Sequence, residues 1–228
     1  MGCRCTTSST QPAMNQNQSF PEQYFRRMDE SDDERFYDYP RLVVHIDEAA
    51  IAATTRLYRE FLPADSDVLD LMSSWRSHLP SDVPYRRVVG LGMNELEMRE
   101  NPQLTDYVVQ NLNKTSRLPF DDASFDGCIL TVSVQYLTQP VDVFAEVGRV
   151  LRPGAPFLTV FSNRMFPTKA IAIWQSLDDR GHAQLVESYY QLAGRFEGIQ
   201  SLDRSPKGSY SDPLYAVVGY RTHQPLTF

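Results

Sequence analysis

An aspartate near the end of a short apolar segment, and the small polar residues after it, are the first candidates for chemistry. Asp70 follows Val68 and Leu69 and precedes a loop that contains Ser73 and Ser74. In an open α/β sheet, ligands bind outside the carboxyl ends of the strands, so the loop after a first strand is a candidate cofactor site. Loops that cradle a nucleotide usually contain glycine because the backbone must approach the ligand closely. This loop contains no glycine, so the function depends on whether the loop still binds a cofactor.

Histidines are the second group of candidates, because histidine titrates nearest to neutral pH and can accept a proton. His45, His78 and His182 are each either a base or a structural histidine. His45 follows an aromatic segment, and we predict that it lines a substrate pocket together with Tyr37 and Arg41. Packing of this N-terminal arm on the sheet is the alternative role for Tyr37 and Arg41. No residue is assigned as catalytic.

Strand and helix patterns alternate along the chain and must position these groups. Apolar runs predict strands at residues 68–71, 87–91, 107–109, 128–134, 157–161 and 214–220. Helical spacing predicts helices at residues 47–62, 141–151, 169–176 and 183–193. The alternation predicts an α/β fold with a doubly wound, mostly parallel sheet and helices on both faces.

Composition excludes several classes of protein. The chain has 228 residues, of which 42% are hydrophobic and 22% charged, and these are ordinary globular values. The net charge of −7 disfavours nucleic acid as a partner. No apolar run reaches the ~18 residues of a membrane span. The three cysteines, Cys3, Cys5 and Cys128, do not suggest a disulfide framework, so we expect a reducing, cytoplasmic compartment. No Cys/His cluster has the spacing of a metal site.

The N-terminal segment differs from the rest of the chain. Residues 1–34 are rich in polar residues and end in an acidic run, which predicts a disordered tail before a single domain at residues 35–228. Gly2 and Thr6 fit the N-myristoylation pattern, and Cys3 and Cys5 are then candidates for palmitoylation. A membrane anchor through these residues and a coincidental match remain alternatives.

Two longer motifs are more specific. The first is Leu-Pro-Phe followed by an acidic turn and Ser-Phe-Asp, at residues 118–126. The second is Glu-Val-Gly-Arg-Val-Leu-Arg-Pro-Gly, at residues 146–154. With these motifs the chain resembles the class I S-adenosylmethionine-dependent methyltransferases, in particular the methyltransferase type 11 group, over about residues 65–162. The resemblance implies a Rossmann-like methyltransferase fold and S-adenosyl-L-methionine as cofactor.

The resemblance also implies a set of cofactor-binding positions. They are Asp70, Met72, Ser73, Ser74, Asn94, Glu95, Asn111, Leu112, Val132 and Ser133. Two positions depart from the family pattern. The first loop lacks the family's glycines, and Gly92 stands where the family has an acid for the ribose hydroxyls. We expect Asn94 or Glu95 to reach the ribose from the next turn, and Asn111 to accept a hydrogen bond from the adenine amino group.

The resemblance implies an S-adenosylmethionine-dependent methyltransferase that acts on a small molecule. Because of the altered loop, a non-catalytic methyltransferase-like binding or scaffold protein remains the alternative. A third possibility, action on a membrane substrate, requires acylation of Gly2, Cys3 or Cys5. Dehydrogenase, Walker-type and Gly-x-Ser-x-Gly hydrolase motifs are absent from the sequence.

Overall fold

Seven strands form one sheet in the computed structural model, which describes residues 20–208 and 210–223. The strands are β1 (Asp67–Leu71), β2 (Arg87–Gly92), β3 (Asp106–Val109), β4 (Gly127–Thr131), β5 (Pro156–Phe161), β6 (Phe196–Asp203) and β7 (Tyr215–Arg221). The helices are α1 (Asp33–Tyr37), α2 (Glu48–Phe61), α3 (Glu95–Arg99), α4 (Pro140–Val150), α5 (Ala172–Gln175) and α6 (Asp179–Ala193). The strand order is β3-β2-β1-β4-β5-β7-β6. β1 to β5 pair in parallel and β7 is antiparallel to both neighbours, so the predicted doubly wound, mostly parallel sheet is confirmed.

Both faces of the sheet are covered, as the apolar strands require. Leu69 of β1 packs in one core with Phe144 of α4, and Val68 packs in a second core with Leu57 of α2. All four side chains are at most 1% exposed. Successive side chains of a strand point to opposite faces, so a strand covered by helices on both sides must be apolar throughout.

The two motifs of the family resemblance contact each other. The guanidinium of Arg149, near the end of α4, donates hydrogen bonds to the carbonyl oxygens of Leu118 and Phe120, each at 2.9 Å. It also donates to the carboxylates of Glu146 and Asp122, each at 2.7 Å. The turn before β4 and the helix before β5 are therefore held together by one arginine, which explains why both motifs mark the fold.

Several element boundaries differ from the prediction. β4 ends at Thr131, and residues Val134–Tyr136 form a 3₁₀ turn where the sequence predicted the end of a strand. The helix predicted at residues 169–176 is reduced to α5. β6 was not predicted, because most of its residues are exposed at the edge of the sheet and show no apolar alternation. The start of α2 is as predicted, since Asp47 caps it by accepting a hydrogen bond from Ala50 N at 2.8 Å.

Residues 20–34 belong to the domain, which corrects the prediction of a disordered tail up to residue 34. Phe25 packs in the core, and Asp33 is only 4% exposed. The ammonium group of Lys169, which is fully buried, lies 3.2 Å from Asp33 Oδ1 and 2.7 Å from the carbonyl oxygen of Ser31. The composition of this segment is polar, but its charges are used to dock it. The predicted tail before residue 20, with its acylation pattern, lies outside the described residues.

Three chemical features of the described residues complete the fold. Cys128 is a buried free thiol, as predicted, and its burial raises the pKa of the thiol well above the usual value. No group of three or more His, Cys, Asp and Glu side chains in this part of the chain is arranged to hold a metal ion. No helix within residues 20–208 and 210–223 combines the length and apolarity needed to cross a bilayer.

Candidate functional site

A cavity of about 330 Å³ lies at the carboxyl ends of β1, β2, β3 and β4. Its volume falls in the range of roughly 300–1,000 Å³ that is typical of small-molecule sites. The predicted site residues that line it are Tyr37, Arg41, His45, Met72, Ser73, Ser74, Asn94, Asn111, Leu112, Val132 and Ser133. The other two predicted residues, Asp70 and Glu95, are not part of its wall.

Asp70 lies behind the loop after β1 and holds that loop in place. Its Oδ2 accepts hydrogen bonds from Ser73 Oγ at 2.7 Å and from Ser77 Oγ at 2.6 Å, and the carboxylate is only 3% exposed. Ser77 Oγ in turn accepts a hydrogen bond from Asn101 Nδ2. Asp70 therefore positions the loop and is not part of the cavity wall, and its direct contact with a cofactor stays a prediction.

Replacing Asp70 with asparagine should stabilise the protein at neutral pH. Burial raises the pKa of the Asp70 carboxyl from 3.8 to about 6, with partial compensation from the Ser77 and Ser73 hydroxyls. A carboxyl with a raised native pKa binds its proton more tightly when folded, so wild-type stability falls as pH rises from 3.8 through 6. A shift of this size corresponds to about 3 kcal/mol, and an amide oxygen can accept the same two hydrogen bonds.

We therefore expect Asp70→Asn to be more stable than wild type by roughly 1–3 kcal/mol at pH 8, with the difference vanishing near pH 4. Urea unfolding at several pH values measures this. Asp121→Asn, in an exposed turn, is the matched control and should show no pH-dependent difference. A variant that is less stable than wild type at pH 8 would contradict the assignment.

The backbone after β1 compensates for the missing glycines. Met72, two residues after Asp70, has φ of 54°, in the left-handed region that glycine normally fills. The loop then turns back onto β2, where Ser73 N donates to the carbonyl oxygen of Leu91 at 2.8 Å. The loop therefore adopts a tight turn without glycine, at the energetic cost of a strained backbone.

Gly92 is a glycine because this loop leaves no room for a side chain. A Cβ built on Gly92 would lie closer than 3.0 Å to the carbonyl oxygen of Ser73, and 3.1 Å from Met98 Sδ. Real Cβ atoms essentially never approach a backbone atom that closely. The strand-end acid of the family is thus absent from the sequence, and the structure excludes it from this position.

The start of α3 carries the two residues that were expected to reach the ribose. Asn94 lines the cavity, but its side chain is engaged: Oδ1 caps α3 by accepting from Glu97 N, and Nδ2 donates to the carbonyl oxygens of Tyr37 and Asp38. Glu95 points away from the cavity and accepts a hydrogen bond from the Tyr107 hydroxyl at 3.3 Å. Neither side chain has the role that we expected, and in both cases the reason is a hydrogen bond made elsewhere.

Glu97, the third residue of α3, lines the cavity and was not predicted as a site residue. Its Oε1 accepts from Arg41 N at 2.6 Å, and its Oε2 accepts from Ser74 Oγ at 2.7 Å. The side chain is 9% exposed. An acid three residues after Asn94 matches a capping box, in which the acid bonds to the backbone of its own helix. The sequence pattern therefore gives no sign that Glu97 lines the cavity.

The loop after β3 contributes an amide and an apolar surface. Asn111 is 8% exposed and its Oδ1 accepts from Asn113 N at 2.9 Å, which leaves this carbonyl with a second lone pair for a ligand. Leu112 is buried beside it. An amide next to a leucine can bind the edge and the face of a flat heterocycle.

The residues after β4 combine a strained backbone with a polar side chain. Val132 has φ of 44°, which is strained for a β-branched residue. The next residue, Ser133, lines the cavity, and its hydroxyl has no hydrogen-bond partner among the described residues. Ser133 is therefore a candidate for a polar contact with a ligand.

The segment from residue 36 to residue 46 lines one side of the cavity, and we call it the lid segment. The Arg41 guanidinium lies over the rings of Phe36, Tyr37 and Phe166, with its carbon 4.6, 5.8 and 5.5 Å from the ring centroids. Its Nη2 donates to the carbonyl oxygen of Phe36 at 2.9 Å. Tyr37 and Arg41 therefore pack the N-terminal arm onto the domain and also line the cavity, and their contact with a substrate stays a prediction.

Trp75 fixes the lid segment from the side of the β1 loop. Its indole Nε1 donates to the carbonyl oxygen of Val43 at 2.8 Å, and the Arg76 guanidinium carbon lies 3.8 Å from the centre of the ring. Trp75 does not line the cavity. It connects the cofactor loop to the lid segment, so the two elements are held in position together.

The three histidines lie in different surroundings. His45 lines the cavity with its ring 5.4 Å from that of Phe166, and burial lowers the pKa of its imidazole below 6.5. His78 lies outside the cavity wall, with a pKa lowered to about 4 by burial. His182 stacks on Trp174 at 4.0 Å, and its Nε2 lies 2.8 Å from the Trp174 carbonyl oxygen, which is a structural role. Only His45 is in a position to act on a ligand.

Two further cavity residues, Arg164 and Phe166, were missed because they follow β5, in a loop without a recognised motif. Arg164 Nε donates to Asp212 Oδ1 at 2.8 Å. Phe166 packs against Tyr136, with ring centroids 6.0 Å apart, and its N donates to the Tyr136 hydroxyl. Since the contacts involve distant parts of the chain, local sequence patterns could not have identified these residues.

The groups in the wall fit S-adenosylmethionine. Leu112 and Asn111 suit a purine, and the unpaired Ser133 hydroxyl suits the polar methionine end. Glu97 and Ser74 provide an acidic and a hydroxyl group between these two ends. A mostly apolar wall with a few convergent polar groups is the usual chemistry of a cofactor site.

Comparisons with known proteins agree with this geometry. Residues 83–159 match the family model described as a methyltransferase domain, type 11. The biotin biosynthesis bifunctional protein BioHC of Teredinibacter turnerae is 35% identical over 120 residues, 52% of this chain and 18% of that protein. Methyltransferase phqN of Penicillium fellutanum is 35% identical over 79 residues, 31% of this chain and 23% of that protein. The chain thus spans less than a quarter of the length of either curated relative.

A solved structure shows the same fold at low sequence identity. The S-adenosylmethionine-dependent methyltransferase of Aquifex aeolicus superposes with a TM-score of 0.54 at 15% identity, and the match covers 83% of this chain and 97% of that one. Residues 83–159 thus match the type 11 methyltransferase domain, and the sheet with its surrounding helices has the fold of solved S-adenosylmethionine-dependent methyltransferases.

Proposed function

We propose that this protein is an S-adenosylmethionine-dependent methyltransferase that acts on a small molecule. The observation that carries the proposal is the position of the cavity at the carboxyl ends of β1–β4, where the β1 loop, Asn111, Leu112 and Ser133 line it together. The family match supports the cofactor, and the cavity volume of about 330 Å³ supports a substrate that is small. The cofactor would be held by the β1 loop, by Asn111 and Leu112, and by Ser133.

When bound, S-adenosylmethionine supplies an electrophilic methyl group on a sulfonium. Transfer by direct displacement requires a nucleophile in line with that group and little water nearby. The lid segment lines one side of the cavity, and the rings of Tyr37 and Phe166 provide an apolar surface for the acceptor molecule, which disfavours water there. Burial lowers the pKa of His45, which favours the neutral imidazole, the form that can accept a proton from the nucleophile.

A non-catalytic binding protein is the second candidate, and one observation favours it. The loop after β1 lies on β2 and excludes the strand-end acid, and the Glu97 carboxylate already accepts hydrogen bonds from the lid segment and from Ser74. A pocket closed in this way could hold a metabolite without transferring a methyl group. Methyl transfer to a small-molecule acceptor, measured as formation of S-adenosylhomocysteine, separates the two candidates.

Cofactor binding is the first test of the proposed function. We expect S-adenosylmethionine and S-adenosylhomocysteine each to raise Tm by about 5–10 °C at 100 times Kd, because binding to the native state then contributes about 2.7 kcal/mol. Isothermal titration calorimetry gives Kd directly. Absence of heat and of a Tm shift at millimolar ligand would overturn the proposal.

Ser133→Ala sharpens this test. Removal of an unpaired buried hydroxyl should leave stability unchanged or slightly higher, while it weakens cofactor binding severalfold. Ser188→Ala, at a half-buried serine on α6, is the matched control and should change neither quantity. Unchanged affinity in Ser133→Ala would remove Ser133 from the cofactor site.

A further inference from the structure

We propose that Glu97 replaces the missing strand-end acid and binds the two ribose hydroxyls of the cofactor. This inference rests on the proposed function, because it concerns the same cavity. It assigns a binding residue on α3, one turn beyond the strand end at which the family resemblance implies an acid. Four observations carry it.

The first observation is the exclusion of any side chain at Gly92. The Ser73 carbonyl oxygen occupies the space into which a Cβ would project, and Ser73 is held there by its N–H bond to Leu91 and its hydroxyl bond to Asp70. Backbone atoms of Ser73 therefore leave no room for an acidic side chain at residue 92. A carboxylate for the ribose must come from another residue.

The second observation is the direction of the Glu97 side chain. In a capping box the acid at this position bonds back to the N–H of the capping residue. The hydrogen bonds within the described residues include none from Asn94 N to Glu97, and the carboxylate instead reaches Ser74 Oγ and Arg41 N. Glu97 has thus exchanged its usual helical partner for groups in the cavity wall.

The third observation concerns the partners of the acids in the wall. The cavity is lined by two carboxylates, Asp33 and Glu97, within the described part of the chain. Asp33 is paired with two cations, since its Oδ1 lies 2.7 Å from Arg27 Nη1 and 3.2 Å from Lys169 Nζ. Glu97 accepts only from neutral donors, so its charge is open to hydroxyl donors of a ligand.

The fourth observation is the position of Glu97. Glu97 is on α3, which follows β2, and its carboxylate reaches Ser74 of the β1 loop. Asn111 and Leu112 follow the neighbouring strand β3. A carboxylate has roughly four acceptor sites, and two of those on Glu97 are used. Two adjacent ribose hydroxyls can supply the remaining two donors.

The test compares S-adenosylhomocysteine with its 2′,3′-dideoxyribose analogue, so that ribose recognition is measured within one protein. Isothermal titration calorimetry on the full chain gives Kd for both ligands in wild type and in Glu97→Gln. We expect wild type to prefer the natural ligand by about 10- to 100-fold, because hydrogen bonds to a charged acceptor are the strong class. Glu97→Gln should lower the affinity for the natural ligand by most of that factor and change the affinity for the analogue by less than about twofold.

The ratio of the two Kd values is also meaningful for a variant that folds poorly. Both ligands are titrated into the same preparation, so the folded fraction cancels in that ratio. Glu95→Gln, the same change on the same helix outside the cavity, should behave as wild type. An unchanged preference in Glu97→Gln, or equal losses for both ligands, would overturn the role of Glu97 and leave the proposed function intact. Absence of binding in wild type would overturn both.

Discussion

Gly92→Asp, which restores the acid of the family pattern, is expected to abolish cofactor binding instead of improving it. The position is at the end of β2, where an aspartate would be the obvious repair from sequence alone. The structure predicts the opposite, because a Cβ at residue 92 would overlap the Ser73 carbonyl oxygen and press against Met98 Sδ. A methionine side chain can move aside, but the Ser73 backbone cannot do so cheaply.

The reason lies in how the β1 loop is held. Ser73 N donates to Leu91 O, and Ser73 Oγ donates to the buried carboxylate of Asp70. To make room for a side chain at residue 92, the loop must break at least one of these bonds. The new carboxylate would also lie in a place where buried residues surround it, which adds a desolvation cost.

We therefore expect Gly92→Asp to lower the free energy of unfolding by about 3 kcal/mol, with Tm lower by roughly 6–12 °C. Titration with S-adenosylhomocysteine should show no heat at concentrations that saturate wild type. Gly92→Ala should give an intermediate loss of stability, since it adds the Cβ without the charge. Differential scanning calorimetry measures the stability of both variants.

Met93→Asp is the control for an acid in this region, because Met93 already carries a half-buried side chain. It should be far less destabilising than Gly92→Asp. If Gly92→Asp were as stable as wild type and bound the cofactor more tightly, the path of the β1 loop described above would be wrong.

The same glycine shows how far the sequence predicts the site. Sequence comparison identifies Gly92 as a departure from the family, and it places Met72, Ser73 and Ser74 in the cofactor loop, where the structure brings them to the cavity. It cannot show that the departures at the two strands are coupled. The loop occupies the space of the missing side chain, and this is a contact between residues that are distant in sequence.

The acids show the same limit. Asp70 matches the family's motif by position, but its carboxylate is turned toward Ser73 and Ser77 and away from the cavity. Glu95 and Glu97 are alike in composition and lie on one short helix, and only the direction of each side chain decides which enters the wall. Helical register and tertiary hydrogen bonds set that direction, and neither can be predicted from the sequence of one chain alone.

The fold was more predictable than the site because its signal is local. Cys128, Ile129 and Leu130 of β4 are fully buried, and an uninterrupted apolar run is what a strand covered on both faces requires. β6 has no such signal, since most of its side chains are exposed. The N-terminal segment was misjudged for a related reason: its polar composition is typical of disorder, while its order comes from contacts with residues far along the chain, among them the buried Lys169.

Lys169→Met is expected to release that N-terminal segment from the domain. The Lys169 ammonium is fully buried, and it donates to the carbonyl oxygen of Ser31 at 2.7 Å and pairs with Asp29 Oδ2 and Asp33 Oδ1, each at 3.2 Å. It also lies 5.4 Å from the centre of the Phe36 ring, at the start of the lid segment. Methionine has a similar length and an apolar end, so the substitution removes the charge and the hydrogen bonds with little change in volume.

Breaking a buried ion pair from one side costs about 3–5 kcal/mol, because the remaining charge is left buried without its partner. Without the Lys169 ammonium, Asp33 retains its hydrogen bonds from Arg27 and Asn113. The interactions lost are therefore mainly those of Asp29 and of the Ser31 carbonyl oxygen. The segment can relieve that cost by leaving the surface. We therefore expect faster proteolysis between residues 26 and 46 and weaker cofactor binding, since the lid segment follows directly.

Lys114→Met is the matched control, because Lys114 binds the same acidic run from the outside. Its Nζ lies 2.9 Å from Asp32 Oδ2 and 2.8 Å from Glu34 Oε1, and the lysine side chain is 50% exposed. Exposed ion pairs contribute roughly 0–1 kcal/mol, so this variant should retain wild-type stability, protease resistance and cofactor affinity. If the two lysine variants behaved alike, burial of Lys169 would not be what docks the segment, and the lid would have to be held by Arg41, Asn94 and Trp75 alone.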